Sequence, residues 1–179
     1  MKDTYEMTIA GLKRELPVFK VNDKLSIAAF IMFGDTEITV ACAEELLKKC
    51  PDFDVLLTAE AKGIPLCYEM ARQSKKPYVV ARKGVKVYMT DPVKFQLNSI
   101  TTQNTQTLYL GQEDISLLKD KRVLIVDDVI STGESLMALE EIVKSSKGNL
   151  VCQAAVLAEG DAAERDDIIF LEKLPLFFN

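Results

Sequence analysis

Histidine and tryptophan are absent from the 179 residues of this chain. Without imidazole there is no Ser-His-Asp triad, no Cys-His dyad, no HExxH zinc site and no imidazole acid or base. Cysteine is sparse and scattered. Cys42, Cys50, Cys67 and Cys152 form no CxxC pair, which argues against a zinc ribbon or a thioredoxin-like site. All four lie in apolar or amphipathic runs and read as buried, reduced thiols. Long hydrophobic runs are missing too. The longest, Leu25 to Phe33, contains Ser26 and falls far short of the roughly 20 residues that span a bilayer. The N-terminus is charged from Lys2 to Arg14 and has no signal-peptide core. These absences predict a cytoplasmic chain with no membrane partner. Positive charge is in deficit, with 22 Lys+Arg against 27 Asp+Glu, a net charge of −5 and a pI near 4.9. That balance disfavours a nucleic-acid partner, which calls for a broad basic face. Chemistry is left to carboxylates, lysine, hydroxyls, backbone N–H groups or a hard metal ion.

What is present reads as one α/β domain over residues 1–179, with no repeat and no Pro-, Gly- or Ser-rich linker. Glu44 to Lys49 places acids before bases, as a helix dipole prefers, and Pro51 stops it. Asp54 to Thr58 is a short apolar run suited to a buried strand. Ile64, Cys67, Tyr68 and Ala71 recur at helical spacing, and Tyr78 to Ala81 is the next strand. Val93, Phe95, Leu97 and Ser99 alternate with polar residues, as do Leu108 and Leu110. They predict two antiparallel strands of a flap around the polar tip Thr101 to Gln106. Arg122 to Val126, Leu150 to Ala158 and Asp167 to Leu171 read as further strands. Leu136, Leu139, Ile142 and Val143 mark a helix that Lys147-Gly148 ends. This order implies a parallel sheet with right-handed crossovers, whose ligands bind at the carboxyl ends of the strands.

The stretch from Val123 to Ser135 carries the most chemistry. Four branched residues lead to Asp127 and Asp128, then Val129-Ile130, then Ser131-Thr132-Gly133-Glu134-Ser135 and a helix. A loop running into a helix N-terminus converges N–H groups on one spot, which suits a phosphate. Ser131, Thr132 and Ser135 add hydroxyls, and Gly133 lets the backbone approach closely. No lysine is present, so this is not a Walker A loop. Two adjacent carboxylates suit a vicinal diol, whose hydroxyls both donate. Phosphate beside diol reads as a ribose 5-phosphate site. The same Val-Asp-Asp opening occurs in response-regulator receiver domains, but too little chain follows Asp128 to complete one.

These thirteen residues resemble the motif that binds 5-phosphoribosyl 1-diphosphate (PRPP) in type I phosphoribosyltransferases. The resemblance implies their fold, a parallel sheet flanked by helices with a flexible β-flap and a small hood. It places the hood and base-binding region at 1–38, the core at 39–160 with the flap at about 92–111, and a C-terminal hood or edge segment at 161–179. It implies transfer of the phosphoribosyl group to a purine, adenine first, with xanthine or orotate as alternatives. It further implies Mg²⁺ carried through PRPP, with Asp127 and Asp128 as its candidate protein partners, and a homodimer. Asp127 and Asp128 become the catalytic pair, and Ser131, Thr132, Gly133, Glu134 and Ser135 the 5-phosphate loop.

Other segments agree in part. Glu60-Ala61-Lys62-Gly63 resembles the family's pyrophosphate loop, which in adenine-specific members often reads Ala-Arg-Gly. Lys62 keeps the charge but loses the arginine fork. Arg72, Lys75, Lys76, Arg82, Lys83 and Lys86 form a basic cluster with no acid between Arg72 and Thr90. The first three suit a helix end, while Arg82, Lys83 and Lys86 follow a strand and suit a pyrophosphate. Val18, Phe19 and Lys20 resemble the start of the base-binding hood, and Val129 joins them as a base contact. Thr101 and Thr102 fall in the flap tip, which lacks the glutamate that adenine-specific members carry. Ser131 stands where hypoxanthine-guanine members place an aspartate, which disfavours that subgroup. A regulator that senses PRPP or a nucleotide is the competing function.

Overall fold

The structure is a computed structural model that describes residues 4–98 and 105–178, and the side chains at 97, 98, 105 and 106 are left aside with the remaining residues. A five-stranded, all-parallel sheet forms the centre, in the order β10-β9-β8-β4-β5. Its strands are β4 (Val55–Ala59), β5 (Tyr78–Ala81), β8 (Arg122–Ile130), β9 (Asn149–Glu159) and β10 (Ile169–Leu174). Its residues alternate between two apolar layers, as strand geometry requires. Leu56, Leu124, Val126, Ala154 and Val156 pack with α1 (Thr36–Lys49) and α2 (Ile64–Ser74) through Ile38, Cys42, Leu46, Leu66, Cys67 and Met70. Leu57, Val123, Ile125 and Ala155 pack with Leu136, Leu139, Ile142 and Val143 of α4 (Glu134–Ser145) on the other face. Burial on both faces explains why these strands read as continuous apolar runs.

The helix termini follow local chemistry. The Asp35 carboxylate caps α1 by accepting the Ile38 N–H at 3.1 Å, and it accepts Arg14 Nε at 2.6 Å. α1 begins eight residues before Glu44, where the acidic start read in the sequence lay, because this cap is the true N-terminus. α3 (Gln112–Leu118) has no counterpart in the sequence reading. It is short, and Leu118 is its only buried residue, so no apolar stripe announces it.

A second sheet, order β1-β2-β3-β11, is antiparallel throughout. It joins β1 (Thr4–Ile9), β2 (Leu12–Asn22) and β3 (Leu25–Ala28) to β11 (Leu176–Phe178). The first and last described strands therefore belong to one sheet, and Tyr5 packs edge-on against Phe177 with ring centroids 5.4 Å apart. Leu16 to Asp35 has apolar stretches without a helix pattern, and pattern alone names no strand there. The flap is a hairpin of β6 (Val93–Asn98) and β7 (Thr105–Leu110), with Phe95 opposite Leu108. It is tied to the central sheet where Arg82 and Tyr109 exchange backbone hydrogen bonds of 3.0 and 2.8 Å. The tip residues Thr101 and Thr102 lie outside the described residues. Cys42 and Cys67 are buried, Cys50 and Cys152 half-buried, and none is in a disulfide. No helix among the described residues is long and apolar enough to cross a membrane.

Candidate functional site

β8 builds the centre of the site. It pairs with β9 along its whole length, to Ile130 opposite Ala158, but with β4 only at Val55, Leu56 and Leu57. Beyond Ile125 the two neighbours part, and a crevice opens at the carboxyl ends. Strand β8 thus runs through both acids to Ile130, rather than stopping at Val126 as read from the sequence, because β9 continues to satisfy its backbone.

The crevice is a cavity of about 610 Å³ lined by Glu60, Ala61, Lys62, Lys83, Asp127, Asp128, Val129 and Ser135, with Ala59, Thr107 and Leu108. Eight residues singled out from three separate segments thus meet on one volume. A smaller space of about 40 Å³ adjoins it, lined by Ser131, Thr132, Gly133 and Ser135 with Asp127, Val129, Ile130 and Leu136. Asp127, Val129 and Ser135 border both. Gly133 has φ of +79° and precedes α4, a conformation that glycine adopts without penalty. The Thr132 hydroxyl lies 3.5 Å from the Glu134 N–H. Glu134 itself does not line this space.

The two carboxylates differ. Asp128 is 2% exposed, and its Oδ2 meets Lys62 Nζ at 3.1 Å. That contact is one of charge, since no aligned hydrogen bond reaches the oxygen. Asp127 Oδ1 accepts the Asp128 N–H at 2.8 Å. Burial, and then the neighbouring Asp128 charge, push the Asp127 carboxyl up to about 7. Gly63 packs against Thr58 and Asp127. A Cβ there would stand 2.5 Å from Thr58 Oγ1 and 3.0 Å from Asp127 Oδ1, so only glycine fits between β4 and β8.

Glu60 organises the basic side. It accepts the Lys83 N–H at 2.9 Å and lies 3.3 Å from Arg82 Nε. The Lys83 amide, with help from Arg82, holds its carboxyl below the usual range. Arg82 also donates to the Tyr88 hydroxyl at 2.8 Å. Arg82 and Lys86 do not line the cavity. Val18, Phe19 and Lys20 lie on β2 in the second sheet and line neither space; Lys20 pairs with Asp23 at 2.7 Å. Thr107, Leu108 and Tyr88 carried no local signal as site residues, whereas Gly63 did, as the last residue of the Glu60-Ala61-Lys62-Gly63 loop.

The model of the phosphoribosyl transferase domain family matches residues 35–174. The chain is 34% identical over 103 residues to a xanthine phosphoribosyltransferase of Brevibacillus brevis, covering 57% of this chain and 52% of that protein. It is 36% identical over 104 residues to an adenine phosphoribosyltransferase of Thermotoga petrophila, covering 58% of each. The chain thus spans little more than half the length of these two relatives. A hypoxanthine/guanine phosphoribosyltransferase of Methanothrix thermoacetophila is 30% identical over 162 residues, 86% of this chain and 82% of that one. Among solved structures, adenine phosphoribosyltransferase of Thermoanaerobacter pseudethanolicus superposes with a TM-score of 0.67 at 21% identity, covering 95% of both chains. That likeness establishes the fold. The family match over most of the chain, on a crevice built at the strand-loop-helix motif, means that the chain belongs to the phosphoribosyl transferase domain family.

Proposed function

We propose that this protein transfers the 5-phosphoribosyl group of PRPP to a purine base, with adenine as the base and AMP and pyrophosphate as products. The observation that carries the reading is the Asp127-Asp128 pair at the mouth of β8: both line the large cavity, and Asp127 also borders the loop space. The base nitrogen bonds to C1 of the ribose as the bond from C1 to pyrophosphate breaks. Pyrophosphate leaves with the electron pair, and the nitrogen's proton is released.

Asp127 and Asp128 accept hydrogen bonds from the ribose diol, and their charge favours the cationic ring that develops. Ser131, Thr132, Gly133, Glu134 and Ser135 hold the 5-phosphate through backbone N–H groups and hydroxyls. Glu60, Ala61, Lys62 and Lys83 face the pyrophosphate, and Arg82 and Lys86 add charge from behind. Val129 walls the base; Val18, Phe19 and Lys20, outside the lining, are assigned to it by resemblance alone. Thr101 and Thr102, in the flap tip, would help exclude water on closure.

The donor set fits a Mg²⁺ that arrives on PRPP. The buried Asp128 Oδ2 has no hydrogen-bond donor, oxygen ligands suit a hard cation, and Mg²⁺ keeps waters and phosphate oxygens rather than a full protein cage. No cluster of three or more metal-ligating side chains exists among the described residues. When bound, the ion neutralises the leaving pyrophosphate.

The protein acts as a cytoplasmic homodimer. Ile31, Phe33, Val40 and Tyr68 are each more than 40% exposed. Val40 and Tyr68 flank a groove between α1 and α2, an apolar face suited to a second copy. The deciding experiment measures pyrophosphate release from PRPP and Mg²⁺ with adenine, hypoxanthine, guanine, xanthine, orotate and uracil offered separately. Release with adenine alone supports the reading. Release with xanthine moves the substrate, and silence with every base despite PRPP binding leaves a sensor.

A further inference from the structure

Arg165 lies outside every motif. It follows the 3₁₀ turn Gly160–Glu164 that connects β9 to β10. Its Nε and Nη2 hold the two oxygens of Asp167 at 2.8 and 2.6 Å. Its Nη1 points elsewhere and lies only 3.1 Å from where a Cβ on Gly133 would stand. The guanidinium therefore rests on the backbone of the hydroxyl-rich loop, at the one residue of that loop with no side chain to keep it away.

The charge pattern gives this contact a purpose. From Val123 to Val143 the chain carries Asp127, Asp128, Glu134, Glu140 and Glu141 and no lysine or arginine. A phosphate on the loop would find N–H groups and hydroxyls but no cation from its own segment. Arg165, held by Asp167, is a cation that the fold brings to this loop from outside its segment. A planar guanidinium suits a phosphate because its donors match two oxygens at once.

We propose that Arg165 contacts the 5-phosphate of the bound ligand, with Asp167 as its positioning partner. The inference rests on the Ser131–Ser135 loop being the 5-phosphate site. Asp167 occupies one edge of the fork and fixes its plane, which leaves Nη1 beside Gly133, at the edge of the loop on which the phosphate would sit.

The test is calorimetry of ribose 5-phosphate and of pyrophosphate, each with the wild-type protein, Arg165→Gln, Arg165→Lys and Asp167→Asn. Arg165→Gln is expected to lose about 10- to 100-fold affinity for ribose 5-phosphate, the range for one charge-assisted contact. Its affinity for pyrophosphate stays within about twofold, because that ligand binds at the Lys62 side. Arg165→Lys recovers part of the loss, and Asp167→Asn shows a smaller one of the same selectivity. In turnover, KM for PRPP rises while kcat holds within about threefold, the signature of uniform binding. Unchanged ribose 5-phosphate affinity in Arg165→Gln, with a wild-type protein that binds, overturns the inference alone. So does an equal loss toward both ligands with a lowered Tm, which marks a merely structural staple. A wild-type protein that binds pyrophosphate but not ribose 5-phosphate overturns the loop assignment, and the inference falls with it.

Discussion

Asp127 sits in a folded protein that favours its protonated form. Its carboxyl rises from an ordinary 3.8 to about 7, through burial first and the Asp128 charge second. The folded state therefore holds more protons than the unfolded one between these values, and stability falls as pH rises through that window. Asp127→Asn removes the cost. In metal-free protein, its stability advantage over the wild type in urea unfolding should be small near about pH 4 and grow to roughly 2 kcal/mol or more by about pH 8, since each tenfold in proton affinity is worth about 1.4 kcal/mol. A constant difference across that range would show that burial does not tax the charged form. Gly63 has the opposite problem, too little room. Its φ is −74°, so the constraint is contact alone. Gly63→Ala meets a fully buried Thr58 and is expected to cost about 1–3 kcal/mol in urea unfolding. Adding Thr58→Ala should recover part of that cost, because the Thr58 hydroxyl has no hydrogen-bond partner to lose.

Among the elements, β8 and β11 show what patterning could and could not reveal. Val123 to Val126 was legible as a strand because four branched residues in a row have few other uses. Its continuation to Ile130 was not, since Asp127 and Asp128 break the apolar run and only the pairing with β9 carries the strand past them. β11 is three residues long, below what any periodicity resolves. It exists because β3 offers an edge to it and Tyr5 offers a ring to Phe177. Phe177→Ala should cost about 1–2 kcal/mol, the aromatic contact plus partial burial. The loss should be read by hydrogen exchange at β3 and β11 while β8 stays protected; uniform loss of protection would show the two sheets to be one cooperative unit.

At the scale of the whole molecule, a net charge of −5 coexists with Lys62 and Lys83 at the mouth of the crevice and Arg82 behind them. Such focusing favours an anionic ligand at one place without making the surface basic. With no built metal cage among the described residues, exhaustive chelation should abolish turnover, and added Mg²⁺ should restore it, while Tm stays unchanged. A drop in Tm on chelation would point to a structural ion instead.

The strands of the central sheet, the helices α1, α2 and α4 between them, the acid pair, the hydroxyl loop and the two basic segments were legible in the sequence. Each is a local pattern of neighbouring residues, set by strand and helix periodicity or by the chemistry of a short loop. The tertiary structure alone decided which of them share a volume. Lys62 meets Asp128 and Gly133 meets Arg165 across long stretches of chain, and no periodicity encodes such pairs. Val18, Phe19 and Lys20 went to a separate sheet, away from the cavity lining, because β1, β3 and β11 formed around them. The crevice itself exists because β4 leaves β8 after Leu57 while β9 stays with it to Ala158, a consequence of how three strands pack and of no one strand's sequence.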